Sequence, residues 1–152
     1  MPMEARSLPP DFREFLQFLN EEQVEYLLIG GWAVGVHGVI RYTQDLDVWV
    51  AISPRNAGRL LSALKRFGFT HGEATTGLFL EIGNIVRMGV PPMRIEICNE
   101  IDGVEFAECH HRRLMTDMDG IEVPVISLED LLKNKRASNR LKDQADVEAL
   151  TQ

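Results

Sequence analysis

The feature that most constrains the fold is a short apolar segment that runs directly into a pair of glycines. Val24 to Ile29 is mostly apolar, which predicts a short buried strand, and Gly30-Gly31 follow at once. Trp32 to Val39 then has the composition of a short helix. Glycines between a strand and a helix let the backbone approach a ligand closely, and a helix N-terminus favours an anion such as phosphate. Glycine pairs also occur in simple turns, so this feature alone leaves both interpretations open.

The next predicted strand carries two acids that share one face. Asp45 and Asp47 stand on either side of Leu46 in a segment, residues 45–52, that alternates with period two at its start. Residues two apart on a strand face the same side, with Cα atoms about 6.5 Å apart. Like charges this close repel unless a cation lies between them, and Mg²⁺ typically takes one or two carboxylates together with substrate phosphates and water. The alternative is the solvent-facing edge of a half-buried strand.

The remainder of the chain reads as one α/β or α+β unit. Its apolar spacings and capping signals predict helices over residues 11–23, from Ser53-Pro54 to about Gly68, and over 143–150, and strands over 93–98 and 121–126. Residues 69–89 read as short strands and turns. We predict a single domain over residues 1–152, in which 1–10 form a loose N-terminal segment.

Composition and charge exclude several classes of protein. The net charge of −7 argues against a dedicated nucleic-acid coat, although residues 133–142 concentrate basic side chains. No apolar run approaches the roughly 18 residues of a membrane helix, and no signal-peptide pattern opens the chain. The two cysteines, Cys98 and Cys109, form no zinc-type spacing. We therefore expect a cytoplasmic protein with no membrane partner.

The glycine pair and the two acids together resemble a known signature. Gly30-Gly31, thirteen further residues and then Asp45-Leu46-Asp47 are similar to the motif of the polymerase-beta-type nucleotidyltransferase superfamily. With His37-Gly38 and Arg41-Tyr42-Thr43-Gln44 included, the stretch is closest to the branch of AbiEii-like abortive-infection toxins and lincosamide nucleotidyltransferases. The resemblance implies the nucleotidyltransferase fold, which is a mixed, mostly antiparallel central sheet flanked by helices, with further helices at the C-terminal end.

The C-terminal part of the chain also resembles that branch. Ser127 to Leu132 has a capping-box spacing, and a Lys-rich helix and a closing Lys-Asp-x-x-Asp segment follow. The resemblance therefore covers most of the chain. It implies that Lys135 and Arg140 bind triphosphate if their helix faces the cleft, with Asp143 orienting one of them. A solvated, charged helix face is the alternative.

The resemblance implies a metal-dependent transfer of a nucleoside monophosphate. An acceptor hydroxyl would attack the α-phosphate of a nucleoside triphosphate and release pyrophosphate, assisted by two Mg²⁺ ions about 3.5–4 Å apart. Asp45 and Asp47 would ligate both ions. Gly30-Gly31, Arg41 and Thr43 would contact the nucleotide.

A third carboxylate is expected on a neighbouring strand. Glu96 is the best candidate, because it is the one acid in the apolar segment Met93 to Cys98. It would complete the metal site and serve as general base. The superfamily more often has Asp at this position, and pairing of Glu96 with Arg94 or Arg87 is the alternative. Glu81 is a weaker rival.

The acceptor is not specified by these residues. A tRNA 3′ end or a protein, in a toxin–antitoxin or defence setting with a cognate partner protein, is the first hypothesis. A small, antibiotic-type molecule is the second. The third is a non-catalytic nucleotide-binding or partner-binding module with the same fold.

Overall fold

The computed structural model describes residues 7–40, 45–69, 76–90 and 93–152, and these form a six-stranded sheet with helices packed around it. The strands are β1 (Tyr26–Ile29), β2 (Leu46–Val50), β3 (Ile85–Met88), β4 (Ile95–Cys98), β5 (Leu114–Met118) and β6 (Ile121–Val125). The helices are α1 (Pro10–Glu21), α2 (Gly30–Val36), α3 (Pro54–Arg66), α4 (Thr76–Leu80), α5 (Phe106–His111), α6 (Leu128–Ser138) and α7 (Leu141–Leu150).

The strand order across the sheet is β3-β4-β2-β1-β6-β5. β3 with β4, β2 with β1, and β6 with β5 run antiparallel, whereas β4 with β2 and β1 with β6 run parallel. The expected mixed, mostly antiparallel sheet is confirmed. The two motif-bearing strands, β1 and β2, lie at its centre, and all four residues of β1 are buried. A central strand covered on both faces is apolar throughout, which is what the sequence of β1 shows.

The first and third helices form as the sequence predicts. Phe12, Phe15, Leu16 and Leu19 are completely buried on one face of α1. α3 begins at Pro54, and its cap is Ser53, whose Oγ accepts a hydrogen bond of 3.0 Å from the Asn56 backbone N–H. The serine oxygen accepts a hydrogen bond from one of the free N–H groups at the start of the helix. Proline fits the first helical position because it has no N–H to leave unpaired there. Both helices therefore follow from local sequence signals alone.

The prediction of short strands and turns for residues 69–89 is wrong in part. Among the described residues of this range, Thr76–Leu80 form α4, and only Ile85–Met88 form a strand. The turn between them is held from a distant part of the chain. The buried Asn99 side chain donates to the carbonyl of Glu81 (2.8 Å) and accepts from the Gly83 N–H (2.9 Å). Glu81 thus lies exposed on a turn and not on a strand.

Residues 106–118 form two elements that the sequence analysis did not assign, α5 and the edge strand β5. No helix formed by the described residues has the length and apolar character needed to cross a membrane.

Hydrogen bonds to a buried carboxylate stabilise the start of α6. Asp130 is fully buried and accepts two hydrogen bonds from Arg112, at 3.1 and 2.9 Å, and a third from Ser127 Oγ at 3.0 Å. Ser127 in turn accepts from the Asp130 backbone N–H. Burial alone would raise the pKa of Asp130, but the hydrogen bonds and charge of Arg112 and the hydrogen bond of Ser127 outweigh it, so the pKa is lowered.

We expect Asp130→Ala to lower the free energy of unfolding by about 2–4 kcal/mol, because it removes the buried carboxylate that pairs with the Arg112 guanidinium and accepts a hydrogen bond from the Ser127 hydroxyl. Urea unfolding at pH 7 measures this. The matched control is Glu129→Ala, one residue earlier on an exposed side chain, which should change stability by less than about 0.5 kcal/mol. The deficit of Asp130→Ala should shrink as the pH falls from about 4 towards the lowered pKa, since Asp130 then becomes protonated in the wild-type protein.

Candidate active site

Strand pairing brings two of the predicted acids together. β2 and β4 run parallel in a register that places Asp47 beside Glu96, and β4 pairs with β3 so that Glu96 stands beside Arg87. On its other side, Asp47 pairs with Ile29, the last residue of β1. Directly paired residues point to the same face of a sheet. One face therefore carries a row of charged side chains across three strands, ending at the first glycine.

Gly30 is required by the Asp47 carboxylate. It is the first residue of α2, with φ of +70°, a left-handed conformation that costs a residue with a side chain more than it costs glycine. A Cβ at this position would also overlap the Asp47 carboxylate. The helix thus starts at the glycines themselves, two residues earlier than expected. The glycine motif and the acidic motif make direct contact.

Asp47 is the acid whose ionisation is most disfavoured. Burial raises the pKa of its carboxyl to about 6, and the negative charges of Glu96 and Asp45 act in the same direction. Lys142 and Lys135 offset part of this effect. A half-buried carboxylate with a raised pKa and acidic neighbours is a group that a cation would stabilise.

Each of the two other acids forms an ion pair with an arginine. Arg94 Nη2 donates to Asp45 Oδ2 at 3.1 Å, and Arg87 Nε donates to Glu96 Oε2 at 3.2 Å. The Arg87 contact is the pairing that the sequence analysis gave as the alternative for Glu96. Within the described part of the chain, no three Asp, Glu, His or Cys side chains stand close enough together to hold a metal ion as they are. Asp47 and Glu96 are neighbours, and Asp45 is engaged by Arg94.

The structure places Lys135 inside the protein. It is 5% exposed, and its Nζ lies 2.9 Å from Asp146 Oδ2 and 3.3 Å from Asp143 Oδ1. The second oxygen of Asp143 accepts from Arg140 Nε at 2.8 Å, so Asp143 contacts both cations named from the sequence. Although burial alone would raise the pKa of Asp143, Arg140 and Lys135 lower it. The cluster joins α6 to α7 and leaves the Arg140 side chain 70% exposed.

Two predicted site residues are outside the described part of the chain, and two arginines are added to the site. Arg41 and Thr43 lie outside the described residues. Arg94 and Arg87 are the contributors whose role at the acids the sequence did not define. Part of the signal was present, because Arg94 and Glu96 stand two residues apart in the segment that was predicted as a strand.

Comparison with known proteins identifies the family. The sequence model of the family described as "Nucleotidyltransferase of unknown function (DUF6036)" matches residues 11–151. The chain belongs to this family. The resemblance to nucleotidyltransferases inferred from the glycine and Asp-x-Asp motifs is thereby confirmed. No curated protein sequence matches the chain.

Solved nucleotidyltransferases share the fold. The lincosamide antibiotic adenylyltransferase LnuA, crystallised with lincomycin bound, aligns with a TM-score of 0.61 and 16% identity over 95% of this chain and 97% of its own. A putative nucleotidyltransferase from Thermotoga maritima gives 0.61 and 14% over 96% and 94%. An antigenic nucleotidyltransferase-like protein from Paracoccidioides brasiliensis gives 0.55 and 17% over 93% and 73%.

Proposed function

We propose that this protein transfers a nucleoside monophosphate from a nucleoside triphosphate to a hydroxyl group, with Mg²⁺ as cofactor. The observation that carries the proposal is the contact of the glycine motif with the half-buried Asp47, which stands beside Glu96. Membership of a nucleotidyltransferase family supports the same reaction.

The acids fit a divalent cation. Asp47 and Glu96 are adjacent, and burial together with the negative charges of Glu96 and Asp45 raises the pKa of Asp47 to about 6, which supports a cation at this position. Mg²⁺ commonly binds one or two carboxylates and completes its shell with phosphates and water. Asp47, Glu96 and, once it leaves Arg94, Asp45 would hold the metal. Bound Mg²⁺ would neutralise charge on the triphosphate.

The chain's own residues would then act on the two substrates. Glu96 would accept the proton of the acceptor hydroxyl while the hydroxyl oxygen bonds to the α-phosphorus. The bond from the α-phosphorus to the oxygen that bridges to the β-phosphate would break, and pyrophosphate would leave. Gly30-Gly31, Arg41 and Thr43 would contact the nucleotide, and the exposed Arg140 would bind its phosphates through a guanidinium fork. Lys135 is buried with two aspartates, so it would contribute to triphosphate binding through the electrostatic effect of its charge and not through direct contact.

A cavity favours a small acceptor over an RNA end. It has a volume of about 770 Å³, and its lining includes Trp49, two residues after Asp47 on the same face of β2. Its apolar wall is completed by residues such as Phe106 and Ile101, and its acids are Glu100, Glu105 and Glu108. Acidic walls repel the phosphates of RNA and attract a protonated amine. We therefore place the small-molecule acceptor ahead of a tRNA 3′ end.

Two other hypotheses from the sequence remain as proposals with separate outcomes. A toxin-like transferase would modify RNA or a protein and have a cognate partner. A non-catalytic module would bind nucleotide and transfer nothing. The exchange of the superfamily's usual Asp for Glu96 is the feature that favours the module.

A label-transfer assay separates these hypotheses. The protein is incubated with Mg²⁺ and each α-labelled ribonucleoside triphosphate, together with hydroxylated amines, total RNA or the protein alone. We expect label on a small hydroxylated amine, and a loss of at least about 100-fold in Glu96→Gln, because general-base catalysis contributes about 10²–10⁴-fold. Glu96→Asp should retain more activity.

The matched control is Glu122→Gln, which removes an exposed strand glutamate on β6 and should transfer label at the wild-type rate. Label on RNA or on protein would favour the toxin-like alternative. Triphosphate binding with no label on any acceptor would contradict the enzyme and favour the module.

A further inference from the structure

Two of the three acids already have arginine partners. Asp45 is paired with Arg94 and Glu96 with Arg87. Asp47, Glu96 and Arg87 lie in one cross-strand row on β2, β4 and β3, whereas Asp45 and Arg94 immediately precede β2 and β4. The two acids nearest Asp47 in the predicted site are thus each paired with an arginine.

The Arg94 guanidinium is incompletely satisfied. It donates through Nη2 to Asp45, but its Nε is buried and has no acceptor among the residues that the structure describes. A buried donor without an acceptor destabilises the arrangement that buries it. Both side chains of the Arg94–Asp45 pair remain one-third exposed, at 33% each. The pair is therefore accessible to an incoming ligand, and its arginine has donors left over.

We propose that Arg94 and Arg87 are exchangeable counter-ions that make metal binding depend on the nucleotide. In the free protein they occupy oxygens of Asp45 and Glu96. A metal–triphosphate complex takes over these carboxylates, and the arginines move to its phosphates. This inference rests on the proposed function, since it assigns positioning residues to the same site.

The charges explain why both ligands are needed. A divalent cation alone must displace an arginine from its carboxylate, and the displaced guanidinium then faces a dication without an anion of its own. A triphosphate brings oxygens that a guanidinium binds through two parallel hydrogen bonds. The metal displaces the arginine from its carboxylate, and the nucleotide provides new partners for that arginine. Each ligand therefore raises the affinity for the other, which is positive coupling between two ligands.

The test measures two affinities in Arg94→Gln. Free Mn²⁺ is followed by electron paramagnetic resonance without nucleotide, and a non-cleavable triphosphate analogue with Mg²⁺ is followed by calorimetry. We expect Mn²⁺ alone to bind about 3–10-fold more tightly, because the positive charge of Arg94 no longer competes for Asp45, and the metal–triphosphate complex to bind about 10-fold more weakly, because a phosphate ligand is lost. Arg94→Lys keeps the charge and should lie between the two proteins in both affinities.

The opposite signs distinguish this role from a structural one. Arg55→Gln removes an exposed arginine of α3 and controls for net charge, so it should leave both affinities within about twofold. Arg87→Gln should repeat the pattern at Glu96. If both affinities fall together in Arg94→Gln and in Arg87→Gln, the counter-ion proposal is wrong. A wild-type protein that binds no metal–triphosphate complex would instead contradict the proposed function.

Discussion

Replacing Asp47 by asparagine should abolish nucleotidyl transfer and, at the same time, stabilise the ligand-free protein. The loss of activity should be at least about 10³-fold, because Asp47 is the acid around which the proposed metal site is arranged. The gain in the free energy of unfolding should be about 1–3 kcal/mol at pH 7.5. It arises because burial and the charges of Glu96 and Asp45 raise the pKa of this carboxyl from 3.8 to about 6.

The stability difference should depend on pH in a defined direction. In the unfolded chain Asp47 ionises near pH 3.8, whereas in the folded, metal-free protein it ionises near pH 6. Its stabilising contribution is therefore complete below about pH 4 and is lost as the pH rises through about 6. The advantage of Asp47→Asn over the wild type should grow across this window and then remain constant.

Urea unfolding in the presence of a chelator, between pH 4 and pH 8, checks this prediction. Asp11→Asn is the matched control, because it removes an exposed aspartate from the first turn of α1. It should change stability by a few tenths of a kcal/mol only. An Asp47→Asn protein that is less stable than the wild type at pH 7.5 would show that Asp47 is a structural group.

The parts of the fold that follow from sequence are those with local causes. Ser53-Pro54 starts α3 and Ser127 starts α6 because cap and first turn are adjacent in the chain. The apolar residues 26–29 identify a central strand. Gly30 and Asp47 were predicted as parts of one site from the resemblance to the nucleotidyltransferase signature, and the structure gives a physical reason for the pairing, since the glycine makes room for the carboxylate.

The features that the sequence did not predict depend on contacts between residues far apart in the chain. The turn after α4 depends on Asn99, sixteen or more residues further along. Arg94 contacts Asp45 across 49 positions, so neither residue reveals its partner by spacing. Lys135 shows the limit most clearly. Its neighbourhood reads as a solvated charged helix, yet tertiary packing buries this lysine with Asp143 and Asp146.

Lys135→Met should be among the most destabilising substitutions at the C-terminal helices. It leaves Asp143 and Asp146, each 1% exposed, without the ammonium group that lies between them. Removing one member of a buried ion cluster costs about 3–5 kcal/mol, because the remaining charges stay desolvated. The expected result is a fall of this size in the free energy of unfolding, measured in urea at pH 7.5.

Lys133→Met provides a matched control on the same helix. Lys133 is 52% exposed and pairs with Glu129 at 3.5 Å on the solvent side, so its loss should cost less than about 0.5 kcal/mol. Lys135→Met together with Asp146→Asn should recover part of the stability, since one of the two buried carboxylates is replaced by a neutral amide. A Lys135→Met protein of wild-type stability that binds triphosphate more weakly would assign the lysine to the phosphates, as the resemblance implied. A destabilised protein would assign it to the junction of α6 and α7, with Arg140 as the exposed cation of that cluster.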